Sequence, residues 1–153
     1  SFIYQIRELQ NGGEFVVLLF LAAWGNDTLA YCTGMLIGKH KMSPILSPKK
    51  SIEGLVGGIV GAAILGALYG LYLNTYIRFS FNPVTMFPIV CGLGGAVSVI
   101  GDLAASAIKR DSGIKDYGTL IPGHGGILDR FDSIIFIAPV IYYLTVMISG
   151  GAI

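Results

Sequence analysis

Hydrophobic residues run along this chain in long blocks and do not alternate with polar ones. Three stretches carry no Asp, Glu, Lys or Arg: 54–73 (20 residues), 79–101 (23 residues) and 133–153 (21 residues). A fourth apolar stretch, 15–38, is interrupted by one charge, at Asp27. About 20 apolar residues rising ~1.5 Å each cross a hydrocarbon core ~30 Å thick. Each block is therefore long enough to span a bilayer. The pattern predicts an all-α, polytopic transmembrane helical protein, with about four membrane-spanning helices at 14–37, 51–73, 83–109 and 129–149. Ser51, followed by Glu53, supplies a hydroxyl cap and an early carboxylate for the second helix. Pro88 and Pro139 fall inside apolar runs, where membrane helices accommodate them as kinks.

Composition agrees with the pattern. The 153 residues are 54% hydrophobic and 12% charged, with a mean hydropathy of +0.73. An average soluble domain is about 25% charged, so a disordered tail, an ordinary cytosolic enzyme and a nucleic-acid-binding module are all excluded. No nucleic-acid partner is expected, and the bilayer is the expected surroundings. Cys32 and Cys91 stand singly in apolar runs and suggest neither a disulfide framework nor a zinc site. Residues 1–153 read as a single membrane domain. The opening Ser-Phe-Ile lacks a methionine and a signal-peptide pattern, as expected of the C-terminal part of a longer chain or of a processed or trimmed one.

Glycine contributes 22 residues without a collagen period. The second helix holds three small-xxx-small pairs, Gly54/Gly58, Gly57/Gly61 and Gly66/Gly70. Such spacing lets membrane helices approach closely, where packing replaces the missing hydrophobic drive. Whether two copies pair as a homodimer is left open by this pattern.

Charge placement is more informative than the net charge of +1. If the helices alternate, loop 38–50 and segment 109–130 share one side of the membrane. They carry Lys39, Lys41, Lys49, Lys50, Lys109, Arg110, Lys115 and Arg130, eight of the ten basic residues, against Arg7 and Arg78 opposite. The excess places the polar loops in the cytoplasm, at the inner (cytoplasmic) membrane.

Ionisable residues within a membrane are costly and mark candidate sites. Asp102 lies seven residues before Lys109, about 10 Å deeper along a helix. Ser98, Asp102, Ser106 and Lys109 share one helical face. Asp102 is either a metal ligand or half of a structural ion pair with an Arg or Lys. Asp129 and Asp132 are neighbours at the start of the fourth helix, where acids also serve as caps. Together with Asp102 they are better explained by a shared cation. Carboxylates without thiol or paired imidazole ligands favour Mg²⁺ or Mn²⁺.

Between these acids lie Lys109, Arg110, Lys115 and Asp116, then Pro122-Gly123-His124-Gly125-Gly126. The cations suit phosphate oxygens, and the glycine turn lets backbone N–H groups approach an anion. The combination points to metal-assisted phosphoryl or nucleotidyl transfer. No Walker A pattern is present, since His124 follows where Lys-Ser/Thr would stand. His124 is a phosphate ligand, a general acid or a turn residue. Asp27 either caps a break in the first helix or belongs to the site. Asn26-Asp27-Thr28 matches a glycosylation sequon but falls within an apolar helix, so it is discounted.

The segment Ser106-Ala-Ile-Lys109-Arg110, Lys115-Asp116 and Ile121-Pro122-Gly123-His124-Gly125-Gly126-Ile-Leu-Asp129-Arg130-Phe-Asp132 resembles the signature of phosphatidate cytidylyltransferases. Trp24-Gly-Asn-Asp27-Thr-Leu-Ala30-Tyr31-Cys-Thr-Gly34 and Ser47-Pro48-Lys49-Lys50-Ser51-Ile-Glu53-Gly54 fit the same family, whose members usually carry further membrane helices before this region. The resemblance implies transfer of CMP from CTP to phosphatidate, giving CDP-diacylglycerol and pyrophosphate, with Mg²⁺ and room for a second metal ion. It implies Asp102 and Asp129 as metal ligands, with Asp132, Lys109 and Arg110 beside them in the catalytic group. Lys115, Asp116, His124, Gly125, Gly126, Ser106, Arg130, Lys49, Lys50 and Asp27 would contact substrate. Two rivals are a CTP-dependent polyprenol or lipid kinase, and a small ion or solute transporter subunit.

Overall fold

The computed structural model describes residues 1–43, 47–113 and 128–149, without the side chains of 43, 47–49, 128–130 and 132. The described residues are helical apart from short connections and one short hairpin. Helix α1 (Phe2–Glu8) is followed by α2 (Gly12–Phe20), a π-helical turn (Leu21–Gly25) and α3 (Asn26–Ile37). Strands β1 (Lys41–Ser43) and β2 (Ser47–Ser51) lead into α4 (Ile52–Tyr76), α5 (Pro83–Asp111) and α6 (Leu128–Ile148).

Among the described residues, three stretches are long and apolar enough to cross a membrane: Gly12–Ile37, Ile52–Tyr76 and Pro83–Asp111. In α6 the apolar part, Ser133–Ile148, is shorter. The predicted helices are all present, with two refinements. The first is preceded by α1, which the apolar pattern did not announce. It is also interrupted by a π-helical turn, so no break stands at Asp27 for that residue to cap. One extra residue per turn rotates everything that follows, and π turns recur at functional sites for this reason.

Helix starts follow local chemistry. The Ser51 hydroxyl accepts the Gly54 N–H at 3.1 Å, capping α4 as its sequence suggests. Asn82 Oδ1 accepts the Val84 N–H at 3.0 Å, and Pro83 follows at the first helical position, where its missing N–H costs nothing.

The small residues of α4 decide the packing. Gly54, Gly58, Ala62, Gly66 and Gly70 form a buried stripe. A Cβ on Gly54 would stand 2.7 Å from the Ala30 carbonyl of α3, and one on Gly70 would stand 2.6 Å from the Pro83 carbonyl of α5. The stripe thus seats α4 against α3 near its start and against α5 near its end. Large apolar side chains face outward instead, among them Val56, Val60, Ile64 and Leu68 on α4 and Ile89, Leu93 and Ile100 on α5. That is the reverse of a soluble bundle, and it suits helices bathed in lipid.

Segment 38–50, expected only as a polar loop, contains the antiparallel hairpin. Lys41 pairs with Ser51 and Ser43 with Ser47, with an irregularity between. The hairpin is clasped to α4: the Ile52 N–H donates to the His40 carbonyl at 3.0 Å, and His40 Nδ1 lies 2.6 Å from Glu53 Oε1. No hydrophobic alternation marks these strands, which is why the sequence pattern did not reveal them.

Candidate active site

A cavity of about 530 Å³ opens between α3, the hairpin, α4 and α5. Its wall includes Asn26 and Asp27 at the start of α3, Lys41 and Lys50 on the hairpin, and Asp102 on α5. Tyr31, Met35, Leu55 and Val99 contribute apolar surface. In a chain with so few charges, two carboxylates and two ammonium groups converge on one concavity.

Asp102 is held on both sides. Its Oδ2 accepts from Lys50 Nζ at 2.8 Å, and its Oδ1 accepts from the Ser133 hydroxyl at 2.7 Å. Three elements far apart in sequence therefore meet at one carboxylate. The ion pair that sequence left open as one reading of Asp102 is present, and its partner is Lys50. The pair lies at the cavity wall, with the Asp102 side chain 18% exposed and that of Lys50 31%.

Directly after the π turn, Asn26 is wholly buried and lies in the cavity wall beside Asp27. Its Nδ2 reaches Asp27 Oδ1 at 3.4 Å. Its Oδ1 has no hydrogen-bond partner among the described residues. A buried acceptor left unpaired is costly and calls for an explanation. Burial also agrees with discounting the sequon, since no glycan could reach this side chain. Ser98, one turn before Asp102 on the same face, is likewise fully buried with an unpartnered Oγ.

The structure thus brings together Asp27, Lys50 and Asp102 of the sequence-predicted residues. It does not place Ser106, Lys109 or Arg110 in the cavity wall. These continue along α5 toward its C-terminal end at Asp111, with Lys109 half-buried and Arg110 exposed. Lys115, Asp116, His124, Gly125 and Gly126 lie outside the described residues, as do the side chains of Lys49, Asp129, Arg130 and Asp132. Asp129 itself belongs to α6, four residues and one turn before Ser133.

Asn26, Lys41 and Ser133 are the site residues that sequence reasoning missed. A signal existed for Ser133, which repeats the Asp129 position one turn later. Asn26 was visible only as part of a sequon and a motif.

Oxygen is the charged donor chemistry of this wall: two carboxylates, with no thiol or imidazole among its residues. Among the described residues, no group of three or more His, Cys, Asp or Glu stands close enough to hold a metal ion by itself. Mg²⁺ does not require one, because it is usually bound through one or two carboxylates plus water and substrate phosphates. The residues present fit such an ion.

The profile of the cytidylyltransferase family matches residues 1–148, so the chain belongs to the cytidylyltransferase family. The phosphatidate cytidylyltransferase of Staphylococcus saprophyticus is 37% identical over 148 residues, covering 97% of this chain and 55% of the relative. That of Staphylococcus haemolyticus is 37% identical over 146 residues, covering 95% and 54%. That of Staphylococcus aureus strain COL is 39% identical over 145 residues, covering 95% and 53%. The chain spans about half the length of the curated relatives it matches.

Proposed function

We propose that the chain carries the nucleotidyl-transfer site of a phosphatidate cytidylyltransferase, moving CMP from CTP to phosphatidate with release of pyrophosphate. The observation that supports this most directly is the cavity where Asp27, Lys41, Lys50 and Asp102 converge. A polyanionic nucleotide and a phosphomonoester lipid must be brought together there.

The chemistry asks little of a general base. The second pKa of a phosphomonoester is ≈ 6, so the lipid phosphate is largely dianionic at neutral pH and already nucleophilic. The obstacle is repulsion between two anions. Lys50 and Lys41 neutralise phosphate charge at the cavity wall, and Lys109 and Arg110 extend the cationic path toward the α5 C-terminus. Asp102 and Asp129 would hold Mg²⁺, with Asp27 in the same cavity wall as Asp102. When bound, that ion supplies charge neutralisation at the transferring phosphoryl group. Ser133 orients Asp102 through Oδ1. Apolar residues on the same wall exclude water and suit the glycerol end of a lipid.

The excess of basic residues on the hairpin side supports a cytoplasmic face, where CTP arrives from water while the phosphatidate headgroup stays at the interface. The test is CTP-dependent synthesis by the purified, membrane-reconstituted chain, with and without Mg²⁺. The Staphylococcus aureus relative serves as positive control. Mg²⁺-dependent CDP-lipid is the expected product. Phospho-polyprenol in its place would transfer the reading to a lipid kinase, and solute flux without CTP to a transporter subunit.

A further inference from the structure

Lys50 bonds to the very carboxylate that the proposed function assigns to a metal ion. Its ammonium lies 2.8 Å from Asp102 Oδ2, while the other oxygen accepts from Ser133. The two partners differ in kind. A neutral hydroxyl can stay beside a carboxylate that binds a cation. An ammonium cannot, because two cations on one oxygen repel.

The backbone and side chain of Lys50 also differ in freedom. Lys50 is the penultimate residue of β2, immediately before the Ser51 cap of α4. The chain just after it is tied to the hairpin, by Ser51 pairing with Lys41, by the Ile52 N–H to the His40 carbonyl and by the Glu53 carboxylate to His40. The strand end is therefore fixed, and motion is left to the four-carbon side chain. A lysine head on such a stem is a compact charge that reorients easily. The space it can enter is the cavity it already lines.

We propose that Lys50 is a cation placeholder. It neutralises Asp102 until a divalent ion takes Oδ2, and is then released into the cavity, where it binds phosphate oxygens of the incoming substrate. Metal binding and phosphate binding are thereby coupled: an ion arriving alone must displace an ammonium that gains no new partner. A metal–nucleotide complex supplies the ion for Asp102 and the anion for Lys50 together. The inference rests on the metal reading above and adds an order of events to it. It also accounts for a carboxylate kept charged within a membrane helix before any ion is bound.

The experiment is direct Mn²⁺ binding to the purified chain in phosphatidylcholine nanodiscs, without nucleotide or phosphatidate. The readout is loss of the free Mn²⁺ electron paramagnetic resonance signal. Lys50→Met is expected to tighten Mn²⁺ binding by roughly three- to tenfold, because the competing cation is gone. Lys50→Arg, which grips the carboxylate with a planar fork, is expected to weaken it. Lys41→Met removes the same charge from the same wall and should tighten binding less than Lys50→Met does. Equal effects of Lys41→Met and Lys50→Met would reduce the idea to general electrostatics and overturn it. Unchanged or weaker binding in Lys50→Met would overturn it as well. Should Lys50→Met fail to fold, the arginine variant decides, and unchanged or tighter binding there overturns the exchange. Asp102→Asn separates the two levels: retained Mn²⁺ binding sinks the metal reading itself. Lost binding without tightening in Lys50→Met sinks only the exchange.

Discussion

Of the carboxylates on the apolar helices, Glu14 on α2 and Asp102 on α5 have surroundings that could hardly differ more. Glu14 accepts the Tyr69 hydroxyl beside an aromatic cluster. Tyr69 stacks on Phe87 at 6.0 Å, and Phe87 packs against Phe15, Phe79 and Phe81. Among the described residues, Asp102 instead has one neutral and one cationic partner, and it lines a cavity of about 530 Å³. An intramembrane acid is thus not a reaction centre merely by being there. At Glu14 the partner is a fixed ring hydroxyl surrounded by rings, so the carboxylate fastens α2 to α4. At Asp102 the cationic partner is an ammonium on a long stem with space beside it.

The largest effect expected from breaking this contrast is at Asp102. Replacement by Asn should lower CDP-lipid synthesis by at least about 100-fold while the protein still inserts into membranes. Near-normal turnover would remove Asp102 from the metal site. Asp129→Asn is expected to behave alike in the same assay.

Next in size is the stripe that joins the two regions. A Cβ on Gly66 would stand 2.6 Å from the Phe87 carbonyl and 2.9 Å from Cys91 Sγ. Gly66→Val should therefore cost ~1–3 kcal/mol of stability through overpacking, read as an earlier unfolding transition in detergent. Turnover per folded molecule should hold. A variant as stable as the parent would mean that α4 and α5 are not pressed together at this glycine.

Tyr69→Phe leaves Glu14 without its hydroxyl donor. It should lower stability by ~1–2 kcal/mol and keep turnover within about twofold of the parent. An activity loss approaching that of Asp102→Asn would erase the distinction between the two carboxylates.

Ser133→Ala is the mildest change. It removes one neutral donor from Asp102 Oδ1, worth ~1 kcal/mol, so a decline of about fivefold in kcat/KM is expected. A loss as large as that of Asp102→Asn would make the serine a direct participant in the reaction.

Much of this was legible in the residues themselves. Long apolar blocks announce spanning helices because the bilayer leaves backbone groups no other partners. Ser51 announces the start of α4 because its hydroxyl satisfies an N–H of the first turn. The Lys-Arg…Lys-Asp…His-Gly-Gly…Asp-Arg-x-Asp order announces the family. Other features left no local trace. The hairpin lacks alternation, and no residue pattern over 21–25 marks the π turn.

What the sequence by itself determined is the solvent of the protein, its helices and the kind of chemistry its few charges can perform. All three follow from composition and from spacing along a single helix. Only the tertiary structure decided which charge meets which. Lys50 and Asp102 are 52 residues apart, and Ser133 is a further 31 beyond Asp102. Nothing in local spacing joins them. Their meeting depends on a hairpin clasped to α4, on glycines that let α4 approach its neighbours, and on a π turn that turns Asn26 and Asp27 toward the same cavity.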